Sequence, residues 1–440
     1  MASLLTPRGR AHLTAGVRGW ARPHPIGKVL EVAGTLIQIE MTATMGDIVE
    51  IETTAGGVRC EVVGFRGPNL LAMPLQLARR ISPGAKVHHL GQLSQFPVGD
   101  SLVGRLIDPF GTPLDGLPPP VCGYRVPLDG QALPIELRGE VDLRFDTGVR
   151  AIDGLLTCGR GQRIGVFAGA GCGKSVLTEQ IASQADADVI VVGLIGERGR
   201  EVRELMESKR RNRMVMVAAT ADKSPLERVR GALAATAVAE YFRDRGANVL
   251  LMLDSLTRFA MALRELGLAL GEPPATKGYP PSVFAIMPRL LERVAPRAGG
   301  GAITAFYTVL VEGDDLSDPV ADSARSLLDA HIVLNRDLAA RGQFPAIDML
   351  ASASRVARRV APPFVLHLAT RSRELLARRR QAQELQSLGA YTAGVNPAFD
   401  HALALGDRID AWAKQSPHEP STHDATVRGL AAAIGEEIPR

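Results

Sequence analysis

Aromatic residues are scarce in this chain: Phe, Tyr and Trp together make up 4% of 440 residues. A platform on which successive bases stack needs more of them, so a single-stranded nucleic-acid binder is not favoured. Cysteines number four, Cys60, Cys122, Cys158 and Cys172, at no metal-ligand spacing, a usage that fits a reducing cytoplasm. No apolar stretch approaches the ~20 residues of a membrane span. The amino terminus is basic but lacks the continuous apolar core of a secretory signal. Acid is absent from residues 1–28, where Arg8, Arg10, Arg18, Arg22 and Lys28 are interleaved with Leu4, Leu5, Leu13, Val17 and Trp20. That segment reads either as a solvated tail or as a short amphipathic piece that docks on a partner or an anionic lipid surface. No internal repeat is visible.

What is present is ordinary globular material, 46% hydrophobic and 22% charged, in a length suited to about three domains. From Ile26 to about residue 95, short runs such as KVLEV, TLIQIE, DIVEIET, VRCEVVGF and AKVHHL alternate with Gly, Pro and Asn turns. This spacing predicts a small closed β-barrel. A linker rich in Pro and Gly follows, PFGTPLDGLPPP. Up to about residue 360, buried runs (Ile164–Phe167, Val189–Leu194, Met214–Ala218, Val249–Leu253, Ile303–Val309, His331–Leu334) alternate with helical stretches such as Leu226–Arg243. That grammar predicts an α/β core with a parallel sheet covered on both faces. Residues 361–440 read as a helical domain. The expected domains are thus a basic segment at 1–25, a barrel at 26–95, an α/β core at 96–360 and helices from 361.

The richest stretch is RIGVFAGAGCGKS, Arg163 to Ser175. An apolar run enters a loop of small residues, which leads directly into Lys174, Ser175 and the helical VLTEQIASQ. Backbone N–H groups of Gly169, Ala170, Gly171, Cys172, Gly173, Lys174, Ser175 and Val176 can close around phosphate oxygens. The Lys174 ammonium can reach the outer phosphates, and the Ser175 hydroxyl can ligate Mg²⁺. A nucleoside triphosphate site is the direct reading, although the strict pattern asks for Gly where Ala168 stands. A second acid for the Mg²⁺ shell is expected at the end of another buried strand. NVLLMLDSLTR supplies Asp254. Hydrolysis also needs a group that polarises water. Glu197 in VIVVGLIGERGREVREL follows a buried strand at the edge where open α/β sheets bind ligands, and Arg198 beside it can stabilise phosphoryl charge. Glu201, Arg203 and Glu204 read instead as an i,i+4 salt-bridged helix face.

The set AGAGCGKS, GLIGERGREVRE, LLMLDSLTRFAMA, GEPPATKGYPPSVF, TVLVEGDDLSDPVADSARSLLDAHIVL and FPAIDMLASASRV resembles the ATPases of type III protein secretion systems, flagellar and injectisome alike. That family is similar to the catalytic subunit of rotary ATP synthases. The resemblance runs from about residue 26 to 410 and implies a β-barrel, an α/β nucleotide core and C-terminal helices. It implies ATP and Mg²⁺ as cofactors and ATP hydrolysis coupled to protein export, by chaperone release, substrate unfolding or energising of the gate. Residue by residue it matches Lys174, Ser175, Asp254, Glu197 and Arg198 to the roles just given. It adds Arg355 of SASRV as an arginine finger reaching a neighbouring subunit's site, a role that spacing alone does not distinguish from Arg358 or Arg359. It implies a homohexameric ring, stalk and stator partners, chaperones and cargo. The location it implies is cytoplasmic and peripheral to the inner membrane at the base of the apparatus. The loop GEPPATKGYPPSVF would face the central pore or act as a strut. Phe344, Phe364 and Tyr391 are undiscriminated candidates for the adenine pocket.

Two other readings are carried. A rotary ATP synthase subunit fits GCGKS and the proline-rich loop less well, and a non-catalytic subunit would tend to lack Glu197. A Rho-type RNA translocase is suggested by the sequence pI near 9.0, but no basic–aromatic patch marks the barrel.

Overall fold

The computed structural model describes residues 26–76, 80–207, 211–311, 313 and 315–438. The basic segment 1–25 lies outside the described residues. The chain divides into two compact units, the first ending at Ser94 and the second running from Gln95 to the carboxyl terminus, with residues 269–271 grouped with the first.

The first unit is a closed barrel of β1 (Ile26–Ala33), β2 (Leu36–Glu40), β3 (Asp47–Thr53), β4 (Gly56–Arg66), β5 (Asn69–Pro74) and β6 (Lys86–Gln92). Its order is β1-β2-β5-β4-β3-β6, closed by β6 on β1. Alternation along each strand sends Val29, Ile37, Ile39, Val49, Ile51, Cys60, Val62, Leu70 and Val87 into one interior. Strand β5, NLLAMP, is not among the runs picked out above, because buried residues follow one another in it without alternation.

The second unit opens on β7 (Gln95–Val98), β8 (Leu106–Ile107) and β9 (Tyr124–Pro127). These are followed by β10 (Arg144–Phe145), helix α1 (Arg150–Leu155) and β11 (Cys158–Gly159). Its main sheet is built from β8, β12 (Arg163–Ala168), β13 (Val189–Ile195), β14 (Met214–Ala219), β15 (Asn248–Asp254), β16 (Ala302–Leu310), β17 (Ala330–Val333) and β18 (Ala353–Ser354). The order is β18-β17-β12-β16-β15-β13-β14-β8. Every pairing is parallel except β17 with β18. Six expected runs become strands within a residue or two of their expected ends. The short β8, drawn from beside the linker, adds an edge that two residues could not announce.

Helices cover both faces: α2 (Lys174–Gln184), α3 (Gly199–Met206), α4 (Pro225–Asp244), α5 (Leu256–Ala269), α6 (Pro281–Leu291), α7 (Pro319–Leu327) and α8 (Arg336–Ala340). Helix α4 shows why the packing is tight. Ser224 and Glu227 form a capping box, with Pro225 at the first helical position, an arrangement that contributes about 1 kcal/mol. The helix then lays an Ala-rich face on the sheet. A Cβ at Gly193 of β13 would meet Ala235 at 3.0 Å and Leu253 at 2.8 Å, so the strand must be glycine there for the helix to approach.

The carboxyl-terminal segment forms α9 (Ala357–Val360), α10 (Pro363–Ser387), α11 (Pro397–Ala413) and α12 (His423–Ile434). These helices do not enclose a core of their own. Leu368, Leu375, Leu405, Ile409, Trp412 and Leu430 share one cluster with Ile152, Ile164 and Ile181. Arg150 at the start of α1 binds Gln415 through its backbone N–H, at 2.9 Å, and the Trp412 carbonyl at 3.0 Å. By contacts the terminal helices therefore belong to the same unit as the sheet.

The proline-rich stretch 271–284 is divided in its behaviour. Its first residues, up to Lys277, are largely exposed. Tyr279 is buried, packs edge-on to Phe284 and lies under the Arg264 guanidinium at 5.1 Å. PPSVF is the first turn of α6, so this half acts as a strut.

Candidate active site at the carboxyl ends of the strands

Strand β12 stops at Ala168, and the loop that follows turns through Gly171 (φ 81°) and Gly173 (φ 83°) before α2 begins at Lys174. Both angles lie in the left-handed region, where glycine carries no Cβ penalty. Gly173 caps the helix, and its carbonyl accepts the Leu177 N–H at 3.0 Å. The loop therefore presents the amino end of an eleven-residue helix, with its unpaired N–H groups and partial positive charge. The Cys172 side chain is buried, so what this residue offers is its backbone. Val176 is exposed.

Two strands over, β15 ends on Asp254, in register with Leu194 of β13. Between them and the phosphate loop runs β16, whose Thr308 pairs with Val166 of β12. The Thr308 hydroxyl donates to Asp254 Oδ1 at 2.5 Å and fixes that carboxylate. Lys174 Nζ is 2.5 Å from the same oxygen and 3.6 Å from Glu197 Oε1. Glu197 stands just beyond β13, after a turn at Gly196 (φ 70°) where a Cβ would run into Arg258. Its carbonyl accepts the Ala221 N–H at 3.1 Å. Lys174, Ser175, Glu197 and Asp254, widely separated in sequence, thus meet at one end of the sheet.

Glu197 is 8% exposed, and its Oε1 is buried without a hydrogen-bond partner among the described residues. Burial, reinforced by the Asp254 charge, pushes its carboxyl up to about 6, against the pull of Lys174 and Arg258. A carboxylate held there is poised to accept a proton near neutral pH. If Glu197 is the base, kcat/KM rises with pH through about 6 at a slope of one and levels off above. The base must be ionised, so acid removes activity. A log–log pH profile checks this. An identical limb in the Glu197→Gln variant would assign the titration to another group.

Three residues at this site were not singled out from sequence. Glu201, expected on a salt-bridged helix face, stands outside it. Arg200 pairs with Glu204 at 3.4 Å and Arg203 with Glu207 at 3.3 Å. Glu201 has no ion pair among the described residues. It lines a cavity of about 70 Å³ together with Ser175, Asp254 and Thr308. It sits in the first turn of α3, which starts two residues beyond Glu197. Arg258 sits likewise in the first turn of α5, which starts two residues beyond Asp254. Among the described residues its side chain hydrogen-bonds only the Met261 sulfur, at 3.7 Å, its Nε is buried without a partner, and its charge is felt by Glu197. Thr308 in the middle of a buried strand gave no signal.

Ser175, Asp254 and Glu201 offer hard oxygen donors of the kind Mg²⁺ takes, which keeps several waters and adds substrate phosphates to one or two carboxylates. The described residues hold no cluster of three or more His, Cys, Asp or Glu able to bind a metal by themselves. Of the three aromatic candidates, Phe344 is the one at the phosphate loop: its ring edge would stand 3.3 Å from a Cβ at Gly173, and it is 38% exposed. Phe364 is packed against the core. The Tyr391 hydroxyl donates to Asp400 at 2.5 Å, and its ring packs edge-on to Phe399.

Two expected residues are not gathered in. Arg198 caps α3 with its side chain exposed, and makes no side-chain hydrogen bond or ion pair among the described residues. Arg355 follows β18, whose Ser354 pairs with Ala330, itself beside Ile164 near the start of β12. The phosphate loop is at the other end of β12, about 15 Å away at the usual rise per residue. Arg355 is exposed at the sheet's edge and does not serve its own phosphate loop.

A parallel sheet with a phosphate loop after one strand and a metal-shell acid after another defines a P-loop nucleoside triphosphatase. Residues 148–354 match the ATP synthase alpha/beta family, nucleotide-binding domain, and residues 361–432 match the type III secretion EscN ATPase C-terminal domain. The chain is 47% identical to the flagellum-specific ATP synthase of Salmonella typhimurium over 437 residues, covering 95% of this chain and 94% of that one. It is also 47% identical to the type 3 secretion system ATPase of Xanthomonas euvesicatoria over 417 residues, 93% and 94% of the two chains. The structure of the assembled ATPase EscN from enteropathogenic E. coli superposes with a TM-score of 0.88 at 42% identity, covering 93% of this chain and 100% of that one. EscN in complex with its central stalk EscO gives 0.85. The chain belongs to the ATP synthase alpha/beta family and, within it, to the ATPases of type III secretion and flagellar export.

Proposed function

We propose that this protein is the Mg²⁺-dependent ATPase of a type III export apparatus, acting as a homohexameric ring. The observation that carries the reading is the meeting of Lys174, Ser175, Glu197 and Asp254 at the carboxyl ends of the strands. Backbone N–H groups from Gly169 to Val176 cradle the phosphates, and Lys174 leaves the carboxylates for the outer phosphates. Ser175 and Asp254 would hold Mg²⁺, with Glu201 lining the same cavity, and the bound ion would neutralise charge on the phosphate oxygens. Phe344 stacks on the adenine. Glu197 orients a water and takes its proton as the water oxygen bonds to the γ-phosphorus and the bond to the β-phosphate bridge breaks. Arg198 and Arg258 balance the charge that develops.

Arg355 completes the site of the next subunit, which makes assembly a condition of fast turnover. The assembled state of EscN supports a ring, and its complex with EscO supports a stalk as partner. Stator proteins, chaperones and cargo belong to the same reading, as does peripheral contact with the inner membrane through residues 1–25. No helix among the described residues is long and apolar enough to cross a membrane. Whether the apparatus is flagellar or an injectisome leaves the chemistry unchanged.

Steady-state hydrolysis with two additives tests the class. A coiled-coil stalk protein of the export apparatus is expected to raise the rate, and polycytidylate to leave it unmoved. Stimulation by polycytidylate instead would make the protein an RNA translocase.

A further inference from the structure

Arg355 is a loosely held side chain on a short arm. Its one side-chain hydrogen bond among the described residues is to the Arg325 carbonyl at 3.5 Å, and the strand before it, β18, is two residues long at the sheet's edge. Where its guanidinium can reach is therefore set by what fixes its backbone. The Arg355 N–H donates to the Asp329 carbonyl at 2.9 Å. The Asp329 carboxylate in turn accepts three N–H groups of Arg163: the backbone at 3.0 Å, Nε at 3.1 Å and Nη2 at 3.2 Å. The Asp329 N–H returns to the Arg163 carbonyl at 2.9 Å. The remaining Arg163 donor, Nη1, bonds Glu292, whose other oxygen accepts Arg138 at 3.1 Å.

A second tie starts one residue earlier. Gln162 is fully buried, with its oxygen held by the Gly159 N–H at 2.8 Å. Its Nε2 donates to the Ser354 hydroxyl at 3.2 Å, and that hydroxyl donates to the Thr157 carbonyl at 3.3 Å. Two consecutive residues at the start of β12 thus grip Asp329 and Ser354, and the far end of β12 is the phosphate loop. A subunit's own nucleotide cradle and the arginine it offers its neighbour stand at the two ends of one six-residue strand.

We propose that Asp329, Arg163 and Gln162 are positioning residues for the arginine finger, acting through the backbone of Arg355 and the side chain of Ser354. The proposal rests on Arg355 working in the neighbouring subunit's site. A finger misplaced by an ångström or so loses a large part of its effect. A bidentate Arg–carboxylate grip is the means of holding a backbone to that tolerance.

The test is kinetic and uses the full chain. In Asp329→Asn one acceptor oxygen becomes an NH₂ that faces the Arg163 donors, so the arm loosens while its volume is kept. The expected result is a kcat about tenfold lower, with KM for ATP within about twofold and ring assembly by mass unchanged. Added to Arg355→Ala, the same change should cost nothing more, since the finger it positions is gone. Subunits of Glu197→Gln, whose own site is dead but whose finger is intact, should raise the activity of Asp329→Asn on mixing, well above the mean of the two. Ser354→Ala tests the second tie without touching the ion pair and should show a smaller loss with the same mixing behaviour. An unchanged kcat in both variants overturns the proposal. So does a loss that adds to Arg355→Ala, or one that mixing fails to relieve while Arg355→Ala is relieved; either makes the network a staple within its own subunit. Failure of mixing to relieve Arg355→Ala itself would instead remove the trans finger on which the proposal depends.

Discussion

Glu197→Gln is expected to bind Mg²⁺ and ATP with near-normal affinity and to hydrolyse ATP roughly 10³-fold more slowly, within the 10² to 10⁴ that a positioned base contributes. Lys174, Ser175 and Asp254 are untouched by the change, so the phosphate cradle and the metal donors remain. What disappears is the one buried carboxylate oxygen that, among the described residues, has no hydrogen-bond partner. The same substitution should stabilise the fold. The Glu197 carboxyl is raised from 4.5 to about 6, so the folded chain holds this proton more tightly than the unfolded one. The group therefore favours folding in acid, and that contribution is lost as pH rises through about 6. At neutral pH the buried carboxylate costs about 2 kcal/mol, which Gln removes. Thermal unfolding midpoints at pH 7.5 and pH 4.5 check this: the variant should be the more stable at the higher pH, with the gap closing at the lower. Equal midpoints at both would mean that Glu197 is not strained by its surroundings.

Arg355→Ala is expected to assemble as the wild type does and to lose about 10³ in kcat, at the lower end of what an arginine finger supplies, or about 4 kcal/mol of barrier. Its binding of nucleotide should be spared, because the side chain is exposed and stands by the start of β12 rather than at its own phosphate loop. Arg358 and Arg359 are the internal controls. They are exposed in the short helix α9, just beyond Arg355, and their replacement by Ala should leave kcat within about twofold, as surface changes usually do. Fluorescent-nucleotide titration beside steady-state kinetics separates the two effects. A weakened affinity with unchanged kcat would assign Arg355 to ground-state binding.

The sheet was legible because continuous Val, Ile and Leu runs separated by helix-length segments admit few other arrangements, and the phosphate loop because its chemistry demands small residues followed by Lys and Ser. Asp254 and Glu197 could be read for a related reason: each follows directly on a buried strand, where side chains must face the ligand edge. The residues missed are those whose role comes from a second element. Glu201 and Arg258 each stand in the first turn of the helix that follows a residue that was found, and only the packing of α3 and α5 against the strands tells them from surface charge. Thr308 is silent because a mid-strand threonine looks the same whether it packs or orients a carboxylate. Arg355 had the opposite problem. Family resemblance singled it out, and the register of β18 on β17 explains why nothing near its own phosphate loop could.

The carboxyl-terminal helices, read from the sequence as a helical domain, share a core with α1 and the sheet. Helical periodicity predicts which face is apolar, but not what covers it. In this chain the cover includes Ile152, Ile164 and Ile181 from the nucleotide core.

The central claim is that each active site is shared between two subunits. Specific ATPase activity measured against protein concentration, with particle mass followed in the same samples, tests it most directly. Activity per subunit should climb as rings form and then level off, while Arg355→Ala forms the same rings without the climb. Activity that stays constant from monomer to ring in the wild type would contradict the account, and Lys174, Ser175, Asp254 and Glu197 would then have to serve a site complete within one chain.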